Sequence, residues 1–259
     1  MTAVSYAEPR DVGSVDDCYF YHTMDVPGFG TIQGEWDLRG REHEYLGGVS
    51  LQGKRVLEMG TANGFLCFYM EKQGASVTAY DLSERDSWDI VPFSRIPQEK
   101  FSKMVDDRRR VIGRLNNGFW LAHKAHRSKA KVIYGPVYAV PDALEPVDIV
   151  TFTSILLHVR DPFLALQTAA KHARETIIVT ERIAEGRLTL ELLERSSGAY
   201  ARFLPAPEAC EPWETWWSLT PEIIRRFVRV LGFEKTKTSY FKVETGKQTH
   251  AFFTVVGRR

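Results

Sequence analysis

From residue 51 onward, short apolar runs alternate in type, separated by glycines and polar turns. The run RVLEM predicts a buried strand at Arg55–Met59. A glycine turn follows, and helical spacing of apolar positions predicts a helix over 64–73. A second strand is expected at Ser76–Asp81 and a third over 131–137. The segment VDIVTFT predicts a fourth strand, Val147–Thr153, apolar enough to be covered on both faces of a parallel sheet. Asp161 and Pro162 read as the cap and first turn of the next helix. A fifth strand is expected over 175–180. Thr220-Pro221-Glu222 opens a helix that ends near Gly232, and two closing strands, 234–243 and 249–256, flank a turn at Gly246. Alternating β and α elements with a final hairpin predict an α/β fold on a mostly parallel sheet.

Two stretches do not fit that alternation. Residues 82–130 are too long for an ordinary connection and read as an insertion with a helix over 98–115. Residues 181–218, with clustered Pro and Trp, form a second variable region. Residues 1–50 are polar and glycine-punctuated, with an extended patch over 19–24. The organisation expected is an arm or cap over 1–50 and one main domain over 51–259.

A hydrophobic content of 44% suffices for a real core in 259 residues. No apolar run reaches the length of a membrane span, and the first residues lack the basic and apolar regions of a signal peptide. No membrane association is expected. Cys18, Cys67 and Cys210 are scattered and show no C-x-x-C spacing, which points to a reducing, cytoplasmic setting and away from disulfides or zinc. His123 and His126 share a helix face, but no acid or cysteine completes a set, so no metal is expected. A net charge of +1 gives no global case for a polyanionic partner.

Candidate chemistry concentrates at the turn after the first core strand. The chain reads Glu58-x-Gly60-x-x-x-Gly64; a dinucleotide fingerprint would need glycine where Ala62 and Phe65 stand. Gly60 and Gly64 either let backbone approach a ligand or simply make the turn. Asp81 ends the next strand about twenty residues on, where a carboxylate can accept a ribose diol. Its other reading is a cap for the segment from Ser83. Glu58 is placed to contact turn amides or a ligand ammonium, and Thr61 and Asn63 add polar groups that serve a ligand or the turn itself.

This combination resembles motif I of class I S-adenosylmethionine-dependent methyltransferases. The resemblance implies a Rossmann-like, seven-stranded, mostly parallel sheet with helices on both faces and a terminal antiparallel hairpin. It also implies S-adenosyl-L-methionine as cofactor. Residues 148–162, DIVTFTSILLHVRDP, look like that family's fourth-strand segment. By resemblance, Thr153, Ser154 and Leu157 lie near the sulfonium, Leu82 joins Asp81 in the cofactor set, and Val137 and Tyr138 frame the adenine. His158 then has two roles open to it, general base or buttress of the following helix.

A narrower likeness runs from GEW at 34–36 through GKRVLEMGTANGF to ILLHVRDP. It is similar to the tRNA wobble-uridine carboxymethyltransferase branch. Trp36 matches a tryptophan on the cofactor or the substrate side, but His22 stands at a lysine place and Leu157 at a tyrosine place, with Arg39 or Arg41 near a further basic position. These departures favour plain S-adenosylmethionine over a carboxylated one. His22 and His158 are the two candidate bases.

For the acceptor, the segment WETWW offers Trp216 and Trp217, with Trp213 less favoured, as an aromatic wall or as core. The insertion is locally basic, including Lys103, Arg108, Arg109, Arg110, Arg114 and Lys124, with Phe119 and Trp120 interleaved. Such a patch can bind nucleic acid, with Trp120 stacking, or can be a solvated helix face. The expectation is methyl transfer to an O, N or S nucleophile of a small molecule. Modification of tRNA is the alternative, and an inactive scaffold of the same fold is a third. A homodimer stays open.

Overall fold

The computed structural model describes residues 4–92, 95–183, 198–206, 208, 214–245 and 248–259. The arm contributes a small antiparallel pair, β1 (Met24–Val26) and β2 (Gly30–Ile32), and a one-turn helix α1 (Glu42–Tyr45). The main domain then runs β3 (Arg55–Met59), α2 (Phe65–Lys72), β4 (Ser76–Asp81), α3 (Gln98–His126), β5 (Lys131–Tyr134), β6 (Val147–Thr153), α4 (Pro162–Ala170) and β7 (Ala173–Arg182). A short pair, β8 (Ala201–Phe203) and β9 (Trp217–Leu219), precedes α5 (Pro221–Val230), β10 (Lys235–Thr245) and β11 (Gln248–Arg258).

Seven strands make one sheet in the order β10-β11-β7-β6-β3-β4-β5. β5, β4, β3, β6 and β7 are parallel, and β11 and β10 return antiparallel beside β7. The strand order reverses at β3, whose neighbours β4 and β6 lie on opposite sides, so the crevice for a ligand opens above the carboxyl ends of β3 and β6. Two apolar layers cover the sheet. One packs α2, the second half of α3 and the arm; the other packs α4 and α5. The helix starts follow the sequence signals: Asp161 Oδ1 accepts from the Leu164 amide at 2.9 Å, Thr220 Oγ1 from the Ile223 amide at 3.3 Å, and a proline occupies the first turn of each helix.

The expected strands at Arg55–Met59, Ser76–Asp81 and Val147–Thr153 are observed with those bounds. The main corrections concern the insertion and the third strand. α3 runs on through residues 116–118 to His126, because tertiary contacts override the poor helix propensity of Asn-Asn-Gly. Asn116 Nδ2 donates to the Leu82 carbonyl at 3.1 Å and Asn117 Nδ2 to the Asp17 carbonyl at 2.9 Å. A side chain at Gly118 would meet Asn63 Nδ2 at 2.7 Å and the Tyr19 carbonyl at 3.0 Å. β5 stops at Tyr134, three residues short of the expected end. The expected turn at Gly246 lies outside the described residues, as do Cys210 and Trp213. Among the described residues no helix is long and apolar enough to cross a membrane.

Candidate active site

Residues 60–64 form a tight turn between β3 and α2, with positive φ at Gly60, Ala62 and Gly64. Both glycines are required by their protein neighbours. A Cβ on Gly60 would fall 2.0 Å from Ile155 Cδ1, and one on Gly64 would fall 2.5 Å from Phe68. The space their missing side chains leave is therefore filled by the chain itself, which leaves the turn's backbone as its ligand-facing chemistry.

Three carboxyls stand near strand ends on this side of the sheet, two of them at this turn. Asp81 is half-buried at the end of β4; Oδ2 accepts the Ala62 amide and Oδ1 the Leu82 amide, each at 2.7 Å. Every carboxylate oxygen has two acceptor sites, so Asp81 keeps capacity for a diol while it ties β4 to the turn. Burial raises its pKa, and the two amides oppose that shift. Glu58, at 1% exposure, points beneath the turn and accepts from Thr61 Oγ1 at 2.6 Å; burial pushes it up to about 8. Glu58 and Thr61 are thus engaged with each other, and Glu58 supports the turn from within the core.

The third carboxyl, Glu181 near the end of β7, was not among the expected site residues. Its Oε1 accepts the Leu156 amide at 2.8 Å and so holds the short 3-10 turn Leu156–His158 that follows β6. Burial pushes Glu181 up to about 8 against the pull of neighbouring amides. The sequence signal for it is an acid closing an apolar strand, the same signal that marks Glu58 and Asp81.

Asn63 is fully buried and faces the arm. Its Oδ1 accepts the Tyr21 amide at 2.5 Å, and its Nδ2 donates to the Tyr19 carbonyl at 2.6 Å. Arm and turn thereby become one unit. Within the arm, His22 and Trp36 sit side by side in a parallel bridge. A Cβ on Gly34 would meet the His22 backbone at 2.4 Å, so the glycine of GEW permits this crossing. The His22 ring stacks on Phe65 at 5.4 Å, and burial pushes it down to about 4, leaving the imidazole neutral. Trp36 packs edge-on against His250 and Phe252. Arg39 and Arg41, the further basic positions, pair on the surface with Asp25, Asp37 and Glu44.

Beyond β6, Thr153 is buried and Ser154 adopts φ +58°, a left-handed backbone that costs a serine about 1–2 kcal/mol. The Ser154 hydroxyl lies 2.5 Å from the Tyr45 hydroxyl. Leu157 is half-buried in the turn that follows, and its carbonyl accepts the Trp216 amide at 2.8 Å. His158 Nδ1 donates to the Glu214 carbonyl at 2.5 Å, which fixes the tautomer with Nε2 unprotonated. Burial, helped by the Arg182 charge, pushes His158 down to about 4.

A latch closes this end of the sheet. Asp89, from the insertion, accepts from Tyr138 Oη at 2.6 Å and from the Arg160 amide at 2.8 Å. Its carbonyl accepts the Trp216 indole N–H at 2.7 Å. Arg108 of α3 pairs with Glu214 and lies over Trp88, with 4.8 Å to the ring centroid. Tyr138 and Trp216 are therefore latch members, and Trp217 donates its indole N–H to the Val159 carbonyl at 3.1 Å. Val137 is half-buried beside Tyr138, its carbonyl accepting from Thr168 Oγ1 at 3.0 Å. Trp120, expected on the substrate side, is buried between Phe119 and His123, with its N–H on Tyr134 Oη at 3.0 Å. His126 stacks on Phe68 and His123 meets Phe119 at a tilt in the same aromatic group, and among the described residues no cluster of three or more potential ligands could hold a metal.

Similarity to known proteins agrees with this architecture. The N-terminal domain of EvdMO1, crystallised in the presence of SAH and D-fucose, superposes with a TM-score of 0.52 at 16% identity, covering 93% of this chain and 91% of that one. Magnesium protoporphyrin IX methyltransferase (ChlM) from Synechocystis PCC 6803, with bound SAH, gives 0.51 at 14% identity over 85% and 81%. A putative methyltransferase from Bacillus halodurans C-125 gives 0.51 at 11% identity over 84% and 97%. No curated protein matches the chain. At these identities the solved structures establish the fold. A family model described as a methyltransferase domain matches residues 33–231, most of the chain, and the chain belongs to that family.

Proposed function

We propose that this protein transfers a methyl group from S-adenosyl-L-methionine to an O, N or S nucleophile of a small molecule. The observation that carries the reading is Asp81: a carboxylate at the mouth of the crevice, at the switch in strand order, held by two amides and with acceptor sites to spare. In this reading Asp81 takes the ribose diol, and Leu82, Val137 and Tyr138 flank the base. The backbone of Gly60 and Thr61, with Thr153 and Trp36, borders the rest of the cofactor.

The cofactor supplies a methyl group already activated on a sulfonium. The chain's task is then to hold the acceptor in line and keep water out, with donor carbon and nucleophile about 3–3.5 Å apart. The latch of Asp89, Tyr138, Arg160 and Trp216 suits the second task. A base is needed only for an acceptor that is protonated at neutral pH. His22 and His158 are both pushed down to about 4, so they are weak bases, and His158 acts as a buttress through Glu214.

Pairing of many insertion cations within the chain favours a small-molecule acceptor over tRNA. Arg109 and Arg110 pair with Asp106 and Asp107, Arg108 with Glu214, and Lys124 with Asp11, while Arg114 donates to the Asp16 and Cys18 carbonyls. Titration calorimetry with S-adenosylhomocysteine, followed by a screen of small molecules for its release from S-adenosylmethionine, tests the proposal. Binding and acceptor-dependent release are expected. Absence of binding overturns it, and release driven only by tRNA, steeply dependent on salt, replaces the small-molecule acceptor.

A further inference from the structure

We infer that Arg182 forms an anion subsite in the acceptor pocket, so that the acceptor carries a carboxylate or phosphate group docked on its guanidinium beside Trp36. The inference rests on the methyltransferase reading and deepens it by naming the acceptor's chemical class.

Its basis is position. Thr153, the last residue of β6, pairs with Thr180, and the Ser154 amide donates to the Thr180 carbonyl at 2.7 Å. Arg182 is two residues further along β7, so its backbone stands about 7 Å above the end of β6. Strand alternation puts Arg182 on the same face as Thr180, whose hydroxyl donates to the Tyr45 carbonyl of α1 at 2.6 Å; that face is the one the arm covers. The Arg182 guanidinium carbon lies 5.9 Å from the Trp36 ring centroid. Its charge also reaches the Tyr21 hydroxyl and the His158 imidazole, from the arm and from the turn after β6. The half-buried guanidinium therefore lies beside Trp36 of the arm and within electrostatic reach of the post-β6 turn.

Fourteen ion pairs link acids to bases among the described residues, and Arg182 is in none of them. The adjacent acid, Glu181, is on the opposite face of the strand and bonds to the Leu156 amide. Trp36 lies beside Arg182, and the Tyr21 hydroxyl and His158 imidazole that its charge reaches are uncharged; Glu35, which accepts from the Tyr19 hydroxyl, is the arm acid that also reaches Tyr21. A half-buried guanidinium with no carboxylate partner among the described residues, beside an indole, matches an oxyanion on a flat body: its fork donates to two oxygens and the indole covers the ring. β7 is two strands away from the turn at residues 60–64, so this charge is on the acceptor side of the crevice.

The test uses the full chain. Saturation with S-adenosylhomocysteine is measured first by calorimetry; failure to bind it overturns the methyltransferase reading and this one with it. The loaded protein is then titrated with benzoate, phenyl phosphate and neutral benzamide, followed by Trp fluorescence and ligand-observed NMR. At least one anion is expected to bind about tenfold or more tightly than benzamide, and which one it is distinguishes a carboxylate acceptor from a phosphate one. R182Q is expected to abolish that preference while binding S-adenosylhomocysteine as the wild type does, and R182K to keep part of it. Equal binding of all three probes in the wild type, or an anion preference that survives R182Q, overturns only the subsite. A tenfold loss of S-adenosylhomocysteine affinity in R182Q also overturns it, because the guanidinium would then hold the cofactor's own carboxylate.

Discussion

The Asn63 amide group donates to the Tyr19 carbonyl across 2.6 Å, and its oxygen receives the Tyr21 amide from the same stretch of chain. One buried side chain in the glycine turn thus satisfies two backbone groups of the arm. The arm carries the bridged pair His22 and Trp36, and Gly118 of α3 packs against the same Asn63 contact. Glycine turn, arm and insertion helix converge on this residue.

Asn63→Ala should therefore leave two buried backbone groups unpaired and cost about 1–3 kcal/mol for each that water cannot reach. Denaturant unfolding measures the loss, and hydrogen exchange at the Tyr21 amide should speed up more than at β3. Equal protection at Tyr21 in variant and wild type would contradict this anchoring.

Asp81→Ala removes a charged acceptor from the expected diol site. Affinity for S-adenosylhomocysteine should fall about tenfold or more, the scale of one charge-assisted hydrogen bond. Calorimetry on the variant checks this, with thermal unfolding as the control for the lost Ala62 and Leu82 contacts.

His158→Ala should leave S-adenosylhomocysteine affinity unchanged, since the ring faces the Glu214 carbonyl. The imidazole is neutral down to about pH 4, so the pH–rate profile of the wild type should show no break near 6.5 from this residue. A break there that disappears in the variant would make His158 a titrating base.

Stability should fall as pH rises from about 6.5 to 8. Glu58 and Glu181 have folded pKa values raised to about 8 from 4.5, so the folded state holds protons the unfolded chain has released, and this stabilisation is lost through that window. His22 and His158, lowered to about 4 from 6.5, act oppositely: their contribution is present above 6.5 and is lost as pH drops toward 4. Between 4.5 and 6.5 the two slopes oppose one another. Thermal midpoints measured across pH should show the decline above 6.5, and E181Q should flatten it.

Asp89→Ala should open the latch without unfolding the sheet. Amide exchange at Arg160, which donates to Asp89, and at Asp161, which donates to Tyr138 Oη, is expected to accelerate, while β6 stays protected.

The strands that carry the site were legible because burial on both faces leaves continuous apolar runs, as in Val147–Thr153. Caps at Asp161 and Thr220 were legible because they are local. The continuation of α3 was not, because Asn116, Asn117 and Gly118 are poor helix formers whose partners, Leu82, Asp17 and Tyr19, are remote in sequence. Within the site, Asp81 stands where its strand position predicts, whereas Asn63 turns toward the arm and Trp120 into the core. Asp89 and Arg182 carry no local signal: a single polar residue gains its meaning only when the fold sets it beside Tyr138 or Trp36.

α3 extends about 43 Å at 29 residues, and its deeply buried positions begin only at Ile112. Its later turns are welded to the sheet, while the earlier ones meet the body through Arg108 at Glu214 and Trp88. Such a rod can fray from its first turns while its root stays fast, so those outer turns should melt before the sheet does.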